Sequence, residues 1–183
     1  ARLLLLLLRI LIIVILALIF ARPVSQDIAL FGPMRTTEHF ILVLDNSYSM
    51  GVRDGNTSPF EKGRKEIRTI IKNAKIKDTI TLITMNEQPR VALAFEIITS
   101  AGKRDEISQK CDEISLSDFG TDITSTIAVL QEETSKKEYI NKQVFIITDC
   151  QKNSWLKACQ DQSFVATLEK IRTEIKSLYL VDV

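Results

Sequence analysis

The 183-residue sequence predicts an α/β fold: a mostly parallel, doubly wound sheet with one antiparallel edge strand, preceded by a transmembrane helix. Three observations carry this. From residue 38 onward, short β-branched and Leu-rich runs alternate with segments of helical period, the pattern of α/β domains. Runs such as Phe40 to Leu44 and Val144 to Ile147 are apolar without a break, as strands covered on both faces of a parallel sheet must be. Residues 3–20, LLLLLLRILIIVILALIF, hold 17 apolar residues out of 18.

That last stretch comes first in the chain. As a helix it spans about 27 Å, near the thickness of a bilayer's hydrocarbon core. Arg9 would cost roughly 2.5–3.5 kcal/mol at the bilayer centre, but it lies toward the N-terminal end and can snorkel. A signal peptide has a shorter apolar region, about 7–15 residues, and no small-x-small cleavage site surrounds Ala21. Residues 1–22 are therefore read as a transmembrane helix, ended by Arg22-Pro23. Arg2 and Arg9 outweigh Arg22, so the positive-inside bias puts the N-terminus in the cytoplasm and the chain beyond residue 22 outside. Residues 23–37 lack periodicity and contain Pro23, Gly32 and Pro33, which reads as a linker. Residues 38–183 form the domain.

Within the domain the first strand is Phe40 to Asp45. Residues 51–58 form a loop. Asp54-Gly-Asn-Thr-Ser58 faintly resembles a calcium loop, but Lys65 stands where the closing Glu belongs. The stronger reading has Ser58 as N-cap, Pro59 as first helical residue and Glu61 closing a capping box. Ile67, Ile70, Ile71 and Ala74 then mark one helical face. Thr79 to Met85 is a strand. The brief turn NEQPR leads into Val91 to Ile97, and so short a connection forces an antiparallel hairpin. Gly102 to Ile114 reads as a helix, and another begins after Thr121 with Ile123, Ile127 and Leu130 on one side. Val144 to Thr148 is a strand ending at Asp149. Phe164, Leu168, Ile171 and Ile175 mark a helix, and Leu178 to Val183 a last strand.

Composition excludes several functions. Lys and Arg number 24 against 23 Asp and Glu, so there is no electrostatic footprint for nucleic acid. Three cysteines make no disulfide scaffold. Cys111 shares a helical face with Ile107 and Ile114 and reads as a core residue; Cys150 and Cys159 either pair or remain free thiols. One histidine rules out a zinc site built from imidazoles. That residue, His39, precedes the first strand and reads as a strand-edge surface residue. Trp155 reads as a packing residue, and Lys136-Lys137 as a solvated helix end.

The chemistry concentrates at the carboxyl ends of strands, where open α/β sheets place their ligands. Asp45 and Asp149 both end apolar strands, and they converge if the strands at 40–45 and 144–148 are neighbours. Ser47 and Ser49 come after Asp45 at every second position. Asp45, Ser47, Ser49, Thr121 and Asp149 offer two negative and three neutral oxygens, a donor set suited to a hard dication such as Mg²⁺, with Mn²⁺ or Ca²⁺ as alternatives. With only two carboxylates the ion stays electrophilic, so an acidic side chain of a protein partner can complete its shell. Each residue alone has a plainer use: Ser and Asp cap helices and form turns, and Thr121 suits an N-cap. The ordered set favours metal.

These residues resemble a known family. Asp45-x-Ser47-x-Ser49, then Gly120-Thr121-Asp122, then a strand-terminal Asp149 look like the metal-ion-dependent adhesion site (MIDAS) of von Willebrand factor A domains, a Rossmann-like fold. The likeness covers about residues 38–183. It implies that Ser47, Ser49 and Thr121 bind metal through hydroxyls, and Asp45 and Asp149 directly or through water. The leucine-rich helix ending in Ala21-Arg22-Pro23, the linker, and the run from Asp149 to Trp155 resemble the bacterial membrane-anchored, aerotolerance-related (Bat) group. That group implies two transmembrane helices, of which the second is present here. It also implies partners such as other A-domain proteins or a MoxR-type ATPase system, and a place in the bacterial cytoplasmic membrane with the domain on the periplasmic or extracellular side. The family's sixth strand and final helix are absent or lie beyond Val183.

The resemblance implies a binding module and not an enzyme. The chief alternative is an Mg²⁺-dependent phosphatase or phosphotransferase of the haloacid-dehalogenase type with Asp45 as nucleophile. That chemistry uses a carboxylate two residues on, where Ser47 stands, and a later acidic pair, where Cys150 comes after Asp149. A serine hydrolase fits worse, because Ser47 occupies the first Gly position of an elbow around Ser49.

Overall fold

The computed structural model describes residues 3, 7–12, 37–53, 55–136 and 141–183. It divides into two units, Ala1–Arg35 and Thr36–Val183. In the first, residues 7–12 are helical. Among the described residues no helix is long and apolar enough to cross a membrane. The transmembrane helix expected over 1–22 and the linker expected over 23–37 lie almost wholly outside the described residues, as does Asp54 of the faint calcium-loop likeness.

The second unit runs β1 (Glu38–Asp45), a 3₁₀ turn (Tyr48–Gly51), α1 (Pro59–Asn73), β2 (Thr79–Met85), β3 (Arg90–Ile97), α2 (Ala101–Asp112), α3 (Ile123–Thr134), β4 (Asn141–Thr148), α4 (Lys152–Cys159), α5 (Gln162–Glu174) and β5 (Ser177–Asp182). The five strands lie in the order β3-β2-β1-β4-β5. β1 pairs in parallel with β2 and with β4, β4 in parallel with β5, and only β2 and β3 run antiparallel. The expected sheet is therefore present, and the expected adjacency of the strands ending in Asp45 and Asp149 holds.

Apolar residues of the central strands face two cores. Leu42, Leu44, Ile80 and Leu82 pack with Phe60, Ile67 and Ile71 of α1 and Ile107 and Cys111 of α2. Ile41, Val43, Ile83 and Met85 pack with Ile123, Ile127 and Leu130 of α3 and with Ala158, Phe164 and Ile171 further on. Burial on both faces is why β1 and β2 lack alternation. The helices start where capping chemistry dictates. Ser58 and Glu61 form the expected capping box at α1, with Pro59 at its first position. Gly63 lets α1 approach the sheet closely: a Cβ there would lie 3.1 Å from Ile147 and 3.2 Å from Leu44.

Three expectations are corrected. His39 is not a surface residue; it is 2 % exposed. It belongs to the central strand, and β2 and the β3 bulge cover it. Its Nδ1 lies 2.5 Å from Thr79 Oγ1, its Nε2 3.3 Å from Thr81 Oγ1, and its ring packs against Phe95. Phe95 adopts φ 47°, and its N–H donates to Thr81 Oγ1 at 3.2 Å, where the β2–β3 register slips. Burial, with the positive charges of Lys142 and Lys136, pulls the His39 pKa down to about 4. Second, the N-cap of α3 is Asp122 and not Thr121: Asp122 Oδ1 accepts from Ser125 N at 3.0 Å. Third, α4 was unforeseen. It has only eight residues and one buried side chain, Ala158, too little for a periodic signal. Trp155, on this helix, packs against the second core, as a packing residue should. Cys111 is buried, and Cys150 and Cys159 are free thiols.

Candidate metal centre

The strand order fixes where a site can form. From central β1 the chain reaches β2 on one side, and β4 lies on the other, so the sheet's topology switches between β1 and β4. The crevice beyond their carboxyl ends is where such sheets bind ligands. Asp45 ends β1 and Asp149 comes directly after the last residue of β4.

Asp45 is 1 % exposed. Its Oδ1 accepts from Ser47 N at 3.0 Å and its Oδ2 from Thr148 Oγ1 at 2.7 Å. Among the described residues no Lys or Arg pairs with it. Burial raises its pKa, hydrogen bonds from Ser47 and Thr148 oppose that rise, and the charge of Asp149 adds to it. A buried carboxylate whose nearest ionic neighbour is another carboxylate is a group short of a cation.

The hydroxyls are not spent on capping helices. Ser47 stands at the N-cap position of the 3₁₀ turn but makes no capping bond through its side chain. Its Oγ lies 3.0 Å from Ser49 Oγ instead. Thr121 is relieved of capping by Asp122 and makes no hydrogen bond among the described residues. The segment before it is fastened to the Asp45–Ser49 loop by two backbone bonds, Ser117 N to Asn46 O at 2.7 Å and Tyr48 N to Phe119 O at 2.9 Å. The structure thus joins Asp45, Ser47 and Ser49 directly, sets Asp149 close enough to act on Asp45 electrostatically, and carries Thr121 on a loop pinned beside them.

Sequence reasoning missed three supporting residues. Thr148, 1 % exposed, holds Asp45 Oδ2; a β-branched residue closing a strand gives no sign of such a role. Asn46 Nδ2 donates to Ser115 O, and Asn86 Nδ2 donates to Asn46 Oδ1, each at 3.0 Å. These amides brace the loop from beneath. Cys150 adopts φ 48°, a strained conformation for a non-glycine residue, directly after Asp149.

No group of three or more His, Cys, Asp or Glu side chains converges among the described residues. The donor set is all oxygen and mostly neutral. It fits a hard divalent ion with open positions and not a thiolate or imidazole cage.

A family model for the von Willebrand factor type A domain matches residues 40–151. No curated protein matches the chain by sequence. Among solved structures, BatB from Bacteroides thetaiotaomicron is similar, with 17 % identity, 80 % of this chain and 90 % of that chain covered, and a TM-score of 0.53. An aerotolerance-related membrane protein from Bacteroides fragilis gives 18 % identity, 80 % and 91 % coverage, and a TM-score of 0.54. Proximal thread matrix protein 1 from the mussel byssus, solved with a zinc-occupied MIDAS motif, gives 14 % identity, 80 % and 41 % coverage, and a TM-score of 0.56. At these identities the likeness is one of fold. The family match spans more than half the chain and agrees with the sheet order, and the chain belongs to the von Willebrand factor type A domain family.

Proposed function

We propose that Asp45, Ser47, Ser49, Thr121 and Asp149 hold a divalent cation, Mg²⁺ or alternatively Mn²⁺ or Ca²⁺, and that the domain uses it to bind a protein partner. The observation that carries this reading is Asp45 itself: buried, bonded through both oxygens, facing Asp149, and paired with no Lys or Arg among the described residues. The cation, when bound, supplies positive charge and an open position for an acidic side chain of the partner. Ser47 and Ser49 contribute neutral oxygens, Thr148 and Ser47 N orient the Asp45 carboxylate, and Asn46 and Asn86 hold the loop in place. The zinc-occupied motif of the mussel protein supports a divalent ion on this fold.

The protein acts as a membrane-tethered binding module and not as an enzyme. The apolar stretch at 3–20 supplies the tether in the bacterial cytoplasmic membrane, and the domain faces the periplasm or exterior. The name of the Bacteroides fragilis relative, a membrane protein, supports the tether. Partners of the class the Bat likeness implies are other A-domain proteins or a MoxR-type ATPase system; nucleic acid is not among them. The phosphatase alternative gains no support, because Ser47 stands where the required acid belongs.

The test separates ligands from turn formers. Ser47→Ala and Ser49→Ala are expected to melt as wild type does in chelator, yet to bind Mg²⁺ more weakly by calorimetric titration. A drop in chelator stability of about 1 kcal/mol, as for a lost cap, with unchanged metal affinity in both variants would end the metal reading.

A further inference from the structure

Four large, exposed apolar side chains, Tyr48, Val52, Leu116 and Phe119, sit on two adjoining loops beside the candidate metal centre. Tyr48, 70 % exposed, stands between two of the proposed donor serines, so its Cα is about 3.8 Å from each of theirs. Its N–H donates to Phe119 O at 2.9 Å, and the Leu116 side chain lies 3.0 Å from where a Cβ on Gly51 would be. The four thus form one shelf fixed to the metal loop. Behind it opens a groove of about 740 Å³, lined by Leu93, Ile114, Leu116 and Phe119 among polar residues that include Asn46, Arg90 and Lys110. Asn46 lies between Asp45 and Ser47, so the groove begins beside the metal loop.

We propose that this shelf and groove seat a large apolar side chain of the same partner segment that brings its carboxylate to the metal, an inference that rests on the metal reading above. The partner is an extended, acidic and apolar stretch of protein. In an extended chain, side chains two residues apart point the same way, about 7 Å apart, so an acid and an apolar residue at i and i+2 or i−2 reach both features together. The charges beside the shelf favour this occupant over a lipid surface. Glu87, Glu113 and Asp118 are exposed, and Glu87 reaches Gly120, next to Thr121. They are interspersed with exposed Arg53 and Arg90, while Lys110 is engaged by Glu96 and Glu106. This mixed rim offers no basic face of the kind that anionic headgroups recruit, so the attraction for an acidic segment comes from the divalent ion and capture of the partner is conditional on metal.

The experiment uses the full chain in detergent with immobilised nonapeptides, each carrying one central Asp. The Asp is flanked either by Ser throughout or by a single Leu, Phe or Trp at i±1 or i±2. Binding is read in Mg²⁺ and in EDTA, for wild type and for Phe119→Ser and Leu116→Asn, two exposed changes that leave the cores intact. The expected result is Mg²⁺-dependent binding, on the order of tenfold stronger for i±2 apolar peptides than for Ser peptides. In the variants it falls to the Ser-peptide level, while the Mg²⁺-induced melting shift is kept. Equal binding of all Asp peptides, with that shift present, overturns the shelf and spares the metal site. Absence of the shift in wild type overturns the metal reading, and the shelf with it. Phe119-dependent binding to phosphatidylserine vesicles, or Phe119-dependent self-association, overturns the peptide in favour of a membrane or a second copy.

Discussion

Burial makes the ionised form of Asp45 costly, hydrogen bonds from Ser47 and Thr148 offset part of that cost, and a bound cation would offset more. Its pKa in the fold lies above the ordinary aspartate value, chiefly through burial. For a carboxylate raised in this way the fold loses stability as pH climbs from the ordinary value through the raised one, because the unfolded chain ionises more readily. Above the raised pKa, without metal, that loss is complete. Asp45→Asn removes it and preserves the side-chain shape, so its melting temperature in chelator is expected to exceed that of wild type. Each kcal/mol recovered adds about 2–4 °C in a chain of this size. The same variant should show no Mg²⁺-induced shift, whereas the wild-type shift should fade as pH drops through the raised pKa. Scanning calorimetry from pH 8 to 4, with and without Mg²⁺, reads both, and a less stable chelated variant would contradict the account. At this scale the sequence was informative only where spacing carried meaning. Asp45, Ser47 and Ser49 stood out because two-residue spacing off a strand end is unusual. Thr148 and Asn86 did not, because their role depends on which strand end and which turn lie next to Asp45, and that is a property of the sheet order.

Elements were legible where one face or both faces are strongly apolar. α1 was readable from its capping box and its Ile67–Ile71 stripe, β1 and β4 from unbroken apolar runs, and β2 from its β-branched residues. α4 was not, since eight residues burying one alanine leave no period to detect. Nor was the setting of His39, because a strand start reads as an edge until both neighbours are known. The packing of these elements makes two predictions. Gly63 lets α1 close on Leu44 and Ile147 directly beneath the metal loop. Gly63→Val must push that helix away, and equilibrium urea unfolding should show a loss of about 1–3 kcal/mol from overpacking, despite the better helix propensity of most residues over Gly. His39 makes the other. Its pKa falls from 6.5 to about 4 on folding, so the unfolded chain takes up the proton first. Stability is whole above pH 6.5 and declines as pH falls toward 4, by on the order of 3 kcal/mol. In His39→Gln the decline between pH 7 and 4.5 should be shallower by about that amount, measured as the difference in unfolding free energy. Equal slopes in variant and wild type would remove His39 as the cause.

Across the whole molecule, alternation of strand and helix was enough to predict a doubly wound sheet, and the sheet in turn dictates a crevice where its topology switches. What the alternation cannot supply is the proposed membrane tether or the side of a membrane that the crevice would face, and the proposed function depends on both. An adhesive metal site facing outward meets envelope proteins; the same site facing inward would meet cytoplasmic ones. The proposed outward placement rests on Arg2 and Arg9, before and within the apolar stretch, set against Arg22 directly after it. Asn56 offers a labelling position, because it lies in an exposed loop away from both cores. In a chain whose three native cysteines are replaced, Asn56→Cys should react with a membrane-impermeant thiol reagent in intact cells, once any outer membrane is permeabilised. Cys111 is the delicate replacement, being buried against α1, so Cys111→Ala needs its melting temperature checked first. Labelling confined to lysed cells would put the domain in the cytoplasm. The metal site would then stand as proposed, while its partners would have to be sought on the other side of the bilayer.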